Sequence, residues 1–361
     1  MFREYRHSNA HEASRITVAL VRENMVFTSQ ATFRNVRHRR GYIRIYRGCY
    51  LCASILQSCT NRYDIDKVIE VARIIALSRL KPACVPTGVS AAVMHGLPTT
   101  SSDGTVYLRT QNRRCTTKAH LPEVTFEGKV LAKEAIAKVH HRPHVGPTTT
   151  RILDIVCDRL DVATMVGSLI HDRITAFSLA CTSLQWVSRF NKWKAQQCHR
   201  EAERSRQHLL ALIRSLPKTA RDTRKARWVL HGASPACDSP GEARLLALLM
   251  EAGFSGMEMQ HPIARTDADA PYFVDIAFPR QHVALEFDGR AKYGTTVEDI
   301  HRAEEKENRR QREIEALGWT VIRVRWTDFS HADALLSQVE RHLKAADRQW
   351  RRRNQRRRSM S

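Results

Sequence analysis

Apolar residues recur along the chain with two periods, and the changes of period mark its elements. Over residues 10–23, Ile16, Val18, Ala19 and Leu20 fall on one side of a helical repeat. FTSQATFRNVRHRRG follows, with a helix cap at Thr28 or Ser29 and the cations Arg34, Arg37, Arg39 and Arg40 close together. YIRIYRGCYL then alternates with period two, which reads as a β-ribbon carrying Arg44. DIDKVIEVARIIALSRL (64–80) places Ile65, Val68, Ile69, Ala72, Ile75 and Ala76 on one face, predicting an amphipathic helix. TVYLRT, EVTFEG and KVHHRP read as short strands, RILDIVCDRL as a helix, and further helices are expected to about Leu216. PKTARDTRKARW and HGASPACDSPGE are rich in small and turn residues and read as a joint.

Beyond that joint the punctuation is sharper. SPGEARLLALLMEAG predicts a helix with Ser239 as N-cap, Pro240 in the first turn and Gly253 at its end. Glu242 falls three residues after Ser239, a capping box that by itself explains the residue. MEMQHPI, YFVDIAF and VALEFDG read as strands, and VEDIHRAEEKENRRQREIEALG as a long charged helix closing at Gly318. WTVIRVRW is a strand and HADALLSQVERHLKAA a last helix. The predicted order is α-β-β-β-α-β.

Two of these strands carry acids. Period two puts Val274, Ile276 and Phe278 on one face of VDIAF and Asp275 on the other. In VALEFDG, Glu286 and Asp288 point away from Val283, Leu285 and Phe287. A simple antiparallel hairpin closed by Pro279–His282 pairs Phe278 with Val283 and sets Asp275 across from Glu286. Like charges so placed repel, so acids on a half-buried sheet point to a divalent cation between them.

Composition narrows the partner. The 361 residues are enough for two or three domains, and 42% hydrophobic with 27% charged residues is a globular balance. The formal charge of +22 and a pI near 10.1 favour a polyanion, with nucleic acid the leading class. The run LLALLM falls far short of the ~18 apolar residues of a spanning helix, so no membrane is expected as partner. MFREYRHSNAHEASR lacks the apolar core of a signal peptide, and the expectation is a cytoplasmic protein. In that compartment the nine cysteines read mostly as free thiols. Cys49 and Cys52 form one CxxC with Cys59 nearby, but no second pair at zinc spacing follows. His140, His141 and His144 read as a solvated loop, and His95 as a hydrogen-bonded structural residue. Neither a nucleotide-phosphate loop nor a small-molecule cofactor signature is evident.

The order helix, basic helix, β-ribbon fits a winged helix-turn-helix, with the basic helix in the major groove and the ribbon on phosphates. A small αβ module with a solvated basic face fits the same pattern. RGYIRIYRGCYL resembles the wing of AbiEi-type antitoxin domains of type IV toxin–antitoxin systems. TGVSAAVMHGLPT is similar to the segment that follows, through Ser90, Ala91, Ala92, His95, Gly96 and Pro98. Met25–Phe33 is shorter than a full scaffold helix plus turn. SPGEARL, VDIAFP, EFDGR and ALGWTVIRV resemble the bacterial very-short-patch-repair-type (Vsr-like) branch of the PD-(D/E)XK nucleases, over roughly residues 236–330.

That resemblance implies Mg²⁺ (or Mn²⁺) held by Asp275 and Glu286, with Glu242 reaching it through water. Asp288 stands where many of these nucleases have a catalytic lysine, which leaves Lys292 or Arg309 to supply the cation; Asp288-Gly289 also reads as a strand-ending turn. The expected organisation is a multidomain α+β / α/β chain. It comprises a winged-helix-like basic module (1–60), an AbiEi-like mixed α/β middle region (61–216) and a linker (217–238). A PD-(D/E)XK-like α-β-β-β-α-β domain (239–346) and a basic disordered tail (347–361) complete it. The expected function is a metal-dependent DNA endonuclease; the alternative is a DNA-binding antitoxin or regulator, acting on operon DNA, with an inactive nuclease-fold domain.

Overall fold

The computed structural model describes residues 16–29, 41–98, 103–112, 114, 118–141, 148–265, 270–288 and 297–359; for residues 297–300, 303, 304 and 350–359 it describes the backbone alone. The protein is mixed α/β with several small sheets. It divides into two compact units, residues 1–171 with 211–226 and residues 172–210 with 227–361.

The first unit begins with α1 (Val18–Glu23), β1 (Met25–Phe27), β2 (Tyr42–Tyr46) and β3 (Cys49–Cys52), the strands forming an antiparallel sheet in the order β1-β3-β2. Gly48, at φ 70°, makes the ribbon turn, because a left-handed backbone there suits glycine. Helix α2 (Arg62–Leu80) is buried beyond the predicted stripe: Val71, Arg73, Ile74 and Leu77 are enclosed too, so it runs through the interior. Around it lie β4 (Cys84–Pro86), α3 (Gly88–Met94), β5 (Val106–Thr110), β6 (Ala119–Leu121), β7 (Val124–Phe126), β8 (Lys129–Ala132) and β9 (Ala135–His141). The main sheet has the order β4-β5-β9-β6.

Residues 151–160 are not the predicted helix. They form a hairpin of β10 (Thr149–Ile152) and β11 (Ile155–Asp158) that leads into α4 (Leu160–Ile170). Leu153, at φ 54°, and Asp154 make its turn, and the β-branched Thr149, Thr150, Ile152, Ile155 and Val156 favour the extended chain. Asp154 is held there by Arg22 at 2.7 Å and Arg79 at 3.2 Å. The hairpin also delivers Asp158 to the interior. Its carboxylate accepts from Arg109 Nε at 2.6 and 2.8 Å and from Thr87 Oγ1 at 2.6 Å. His95 Nε2 lies 2.8 Å from the Asp158 carbonyl, a structural role.

The second unit contains α5 (Arg173–Ser188), most of α6 (Ala195–Arg214) and the end of α7 (Thr223–Gly232). Thus the 217–238 stretch, read as a joint, holds a helix. Then come α8 (Pro240–Glu251), β12 (Glu258–Ile263), β13 (Tyr272–Phe278), β14 (Val283–Asp288), α9 (Val297–Ala316), β15 (Thr320–Arg325) and α10 (Ala332–Ser359). The four-stranded sheet keeps chain order, with antiparallel β12-β13-β14 and a parallel β14-β15 pair crossed over by α9. Helix α10 carries the 347–358 cationic run onward to Ser359, where a disordered tail was expected. Arg and Gln are good helix formers, and the run has neither Gly nor Pro to stop it. Among the described residues no helix is long and apolar enough to cross a membrane.

Strand β14 is covered on both sides, which corrects the half-buried reading there: every residue from Val283 to Phe287 is buried. On one side Ala277 and Ala284 pack with Ile314 of α9. On the other, α8 approaches so closely that a Cβ on Gly241 would lie 2.0 Å from Phe287 Cε1. The Phe287 ring cannot retreat easily, since Trp326 (5.1 Å between centroids) and Phe329 (5.8 Å) pack against it. Gly241→Ala is therefore expected to destabilise this unit by about 1–3 kcal/mol through overpacking. Chemical unfolding followed by tryptophan fluorescence measures it, because all six tryptophans belong to this unit.

Candidate active site

The β13-β14 register matches the sequence expectation up to Ile276–Leu285, with Ala277–Ala284 and Phe278–Val283 beside it. The ladder with β12 skips Asp275, and the ladder with β14 ends one residue short of it. On the β12 side the register passes from Met259–Ile276 to His261–Val274, and Gln260, which faces Asp275, has a left-handed φ of 48°. A non-glycine residue there carries backbone strain, a feature common at functional sites. The Asp275 carboxylate uses the opening. Oδ2 accepts from the Phe287 N–H at 2.8 Å, and Oδ1 takes a longer contact from the Gln260 amide at 3.4 Å.

Glu242 reaches the same place from the first turn of α8. Ser239 Oγ accepts from the Glu242 N–H at 3.2 Å and donates to Oε1 at 2.7 Å, while Oε2 accepts from the Asp238 N–H at 2.8 Å. This is the predicted cap, with the carboxylate returning to the residue before the N-cap. Burial pushes the Glu242 carboxyl well above the usual range, and the charges of Asp275 and then Asp238 add to it.

Glu286 sits on the covered centre of β14. Burial pushes its carboxyl up to about 7; Arg310 opposes the shift, and Asp275 and Glu307 reinforce it. Arg310 Nη1 stands 2.6 Å from Oε1, yet neither buried oxygen of Glu286 takes an aligned hydrogen bond. Those lone pairs suit a hard cation. Among the described residues no group of three or more His, Cys, Asp or Glu side chains gathers at ligating distance. A divalent cation would accordingly rest on two carboxylates and water, a common arrangement for Mg²⁺. Asp275 and Glu286 fit that demand.

The cations come from places the sequence reading did not select. Arg309 lies on the open face of α9, paired with Glu313 at 2.9 Å. Its neighbour Arg310 turns inward, bonding the Phe273 carbonyl at 2.6 Å and Glu307 at 3.3 Å besides Glu286. Strand β15 sets Arg323 in register with Glu286 and Arg325 in register with Asp288. Arg325 Nε lies 3.6 Å from Asp288 Oδ2, so Asp288 has a local cation partner. Arg323 bonds Gln311 at 2.8 Å and the Glu307 carbonyl at 3.1 Å. Lys292 lies outside the described residues, as do Arg34, Arg37, Arg39 and Arg40. Arg44 is exposed on β2.

The raised Glu286 carboxyl has a consequence for stability. Folding favours its protonated form, so its contribution is full below the ordinary carboxylate range and is lost as pH rises from about 4.3 to about 7. Glu286→Gln should remove that dependence. Relative to wild type without added metal, the variant should gain up to about 3 kcal/mol between pH 5 and pH 8, read from urea unfolding by tryptophan fluorescence. Parallel pH profiles would contradict the assignment.

No protein-family model matches this chain, and neither a curated protein nor a solved structure resembles it significantly.

Proposed function

We propose that the C-terminal unit is a Mg²⁺- or Mn²⁺-dependent DNA endonuclease of the Vsr-like PD-(D/E)XK type, carried behind a winged-helix-like DNA-binding module. One observation above all supports this: the Asp275 carboxylate of β13 accepts from the N–H of Phe287, the residue after Glu286 on β14, and Glu286 is a buried carboxylate whose oxygens take no aligned hydrogen bond. A module built only to bind phosphates gains nothing from buried acids at this position. The α-β-β-β-α-β order of residues 240–325, followed by α10, is in keeping with the reading.

A bound divalent cation would lower the pKa of a coordinated water and offset charge on the phosphate under attack. Asp275 and Glu286 would hold it. The Phe287 N–H fixes Asp275, and the cap fixes Glu242, which would reach the cation through water. Asp288 departs from the lysine of the family pattern, and its bridge to Arg325 leaves it a positioning role at the end of β14. Arg310 is the cation that the chain itself brings to the acids, and it would stabilise charge developing on a phosphate oxygen.

The second reading, an antitoxin-like DNA-binding regulator with a silent nuclease fold, draws on two features: the absent lysine and the Arg310–Glu286 ion pair, which neutralises a metal ligand. Nicking of supercoiled plasmid in Mg²⁺ or Mn²⁺, beside Asp275→Ala and Glu286→Ala, separates them. Nicking by wild type alone supports the endonuclease. Retarded DNA with wild type and variants alike, and no cleavage by any of them, supports the regulator.

A further inference from the structure

Next to the acids is an aromatic surface that the nuclease reading does not use. Helix α5 ends at Arg189 in a left-handed conformation (φ 49°), and Asn191 then caps a short 3-10 turn, Lys192–Lys194, accepting from the Trp193 N–H at 2.9 Å. This fixed backbone sets the indole of Trp193 edge-on to Phe273, with centroids 4.9 Å apart and planes at 80°. Trp193 is nonetheless 58% exposed. Lys192 Nζ stands 4.8 Å from the Phe273 centroid, and Lys194 is exposed beside it.

Position on the strand links this surface to the chemistry. Phe273 lies two residues before Asp275 on β13, about 7 Å along the strand, roughly two stacked-base steps. Arg310 links the Phe273 backbone to the other acid, bonding the Phe273 carbonyl with one nitrogen and contacting Glu286 with another. An open aromatic face, flanking ammonium groups and a guanidinium leading to a metal-ligand pair match the chemistry of a single nucleic-acid strand. Its bases stack on aromatic rings while its phosphates meet cations.

We infer that Trp193, backed by Phe273 and flanked by Lys192 and Lys194, is a stacking platform for an unpaired base of DNA. The strand it holds runs past Arg310 to Asp275 and Glu286. This rests on the endonuclease reading and names its substrate class: DNA with an unpaired nucleotide beside the cut.

The test is fluorescence anisotropy of the full chain in EDTA with a labelled single strand, the duplex of the same sequence and length, and single-stranded RNA of that sequence. Trp193→Ala should weaken single-stranded DNA binding about tenfold, the value of roughly one stacked base. Duplex binding should change less than twofold, and Trp193→Phe should retain most of the single-strand affinity. The salt dependence of single-strand binding should be unchanged, because no phosphate contact is removed. An equal effect of Trp193→Ala on single strand and duplex, no effect on either, or tighter binding of RNA than DNA overturns the proposal. Because the assay needs no metal, the two readings fail separately. A chain that nicks plasmid but binds single strands unchanged as Trp193→Ala loses only the platform. One that needs Trp193 for single strands and never cleaves loses only the nuclease.

Discussion

Asp158→Ala is expected to destabilise the N-terminal unit by about 3–5 kcal/mol, a large part of the ~5–15 kcal/mol that holds a typical domain. Arg109 and Asp158 are 2% and 0% exposed, so the substitution strands a guanidinium away from water. Thr87 and Thr148 also surround this pair, donating to Asp158 and accepting from Arg109 at 2.8 Å. Burial keeps the Asp158 carboxyl raised despite the help of Arg109 and Thr87, which marks the pair as costly to bury. Pairing Arg109→Met with Asp158→Leu should for that reason recover much of the loss, as apolar replacements of buried ion pairs do. Tryptophan fluorescence is blind to this unit, so amide hydrogen exchange in β5 and β11 is the readout. The slowest amides should exchange roughly 150- to 5,000-fold faster in Asp158→Ala, the same ~3–5 kcal/mol expressed as a rate ratio. A change under threefold would show that the pair is not what holds the hairpin in place.

The C-terminal fold was more legible than the N-terminal one because its elements carry strong punctuation. Ser239, Pro240 and Glu242 start α8, Gly253 and Gly318 stop helices with left-handed φ of 85°, and alternation marks the strands. Residues 151–160 misled for the opposite reason. RILDIVCDRL has apolar residues at helical spacing, and its turn at Leu153-Asp154 contains neither Gly nor Pro. What decides it is tertiary: Asp154 meets Arg22 and Arg79, and Asp158 meets Arg109, partners far away in sequence.

In the candidate site the acids were visible and the cations were not. Period two and a four-residue loop predict the pairs from Phe278–Val283 to Ile276–Leu285. The ladder ends there, and Val274 packs with Ala277 and Ala284, so the alternation breaks at Asp275. Choosing Arg310 over Arg309 requires the rotational setting of α9 on the sheet, which Ile314 determines by packing against Ala277 and Ala284. The alternation of TVIRVRW does place Arg323 and Arg325 on one face, and that signal was available. Their register with Glu286 and Asp288 follows only from the parallel pairing of β14 with β15. Trp193 lies outside the α-β-β-β-α-β frame altogether and meets Phe273 only in the folded unit.

The largest effect on activity is expected from Asp275→Asn. Asn keeps the shape and an oxygen that can accept from the Phe287 N–H, so the strand opening and the fold should survive. In the endonuclease reading it removes the charge that a divalent cation would need from one of the two carboxylates proposed to hold it. It also relieves Glu242 and Glu286 of a neighbouring negative charge, so any change in stability should be small or favourable. Loss of activity can then be attributed to the site. The deciding measurement is the single-turnover rate of nicking of a supercoiled plasmid by wild type and Asp275→Asn in Mg²⁺, with binding of the same plasmid measured in EDTA. Wild type should nick in a metal-dependent manner, Asp275→Asn at a rate at least about a hundredfold lower, with plasmid affinities within twofold. Equal rates for the two proteins, or no nicking by wild type with either Mg²⁺ or Mn²⁺, would contradict the endonuclease reading.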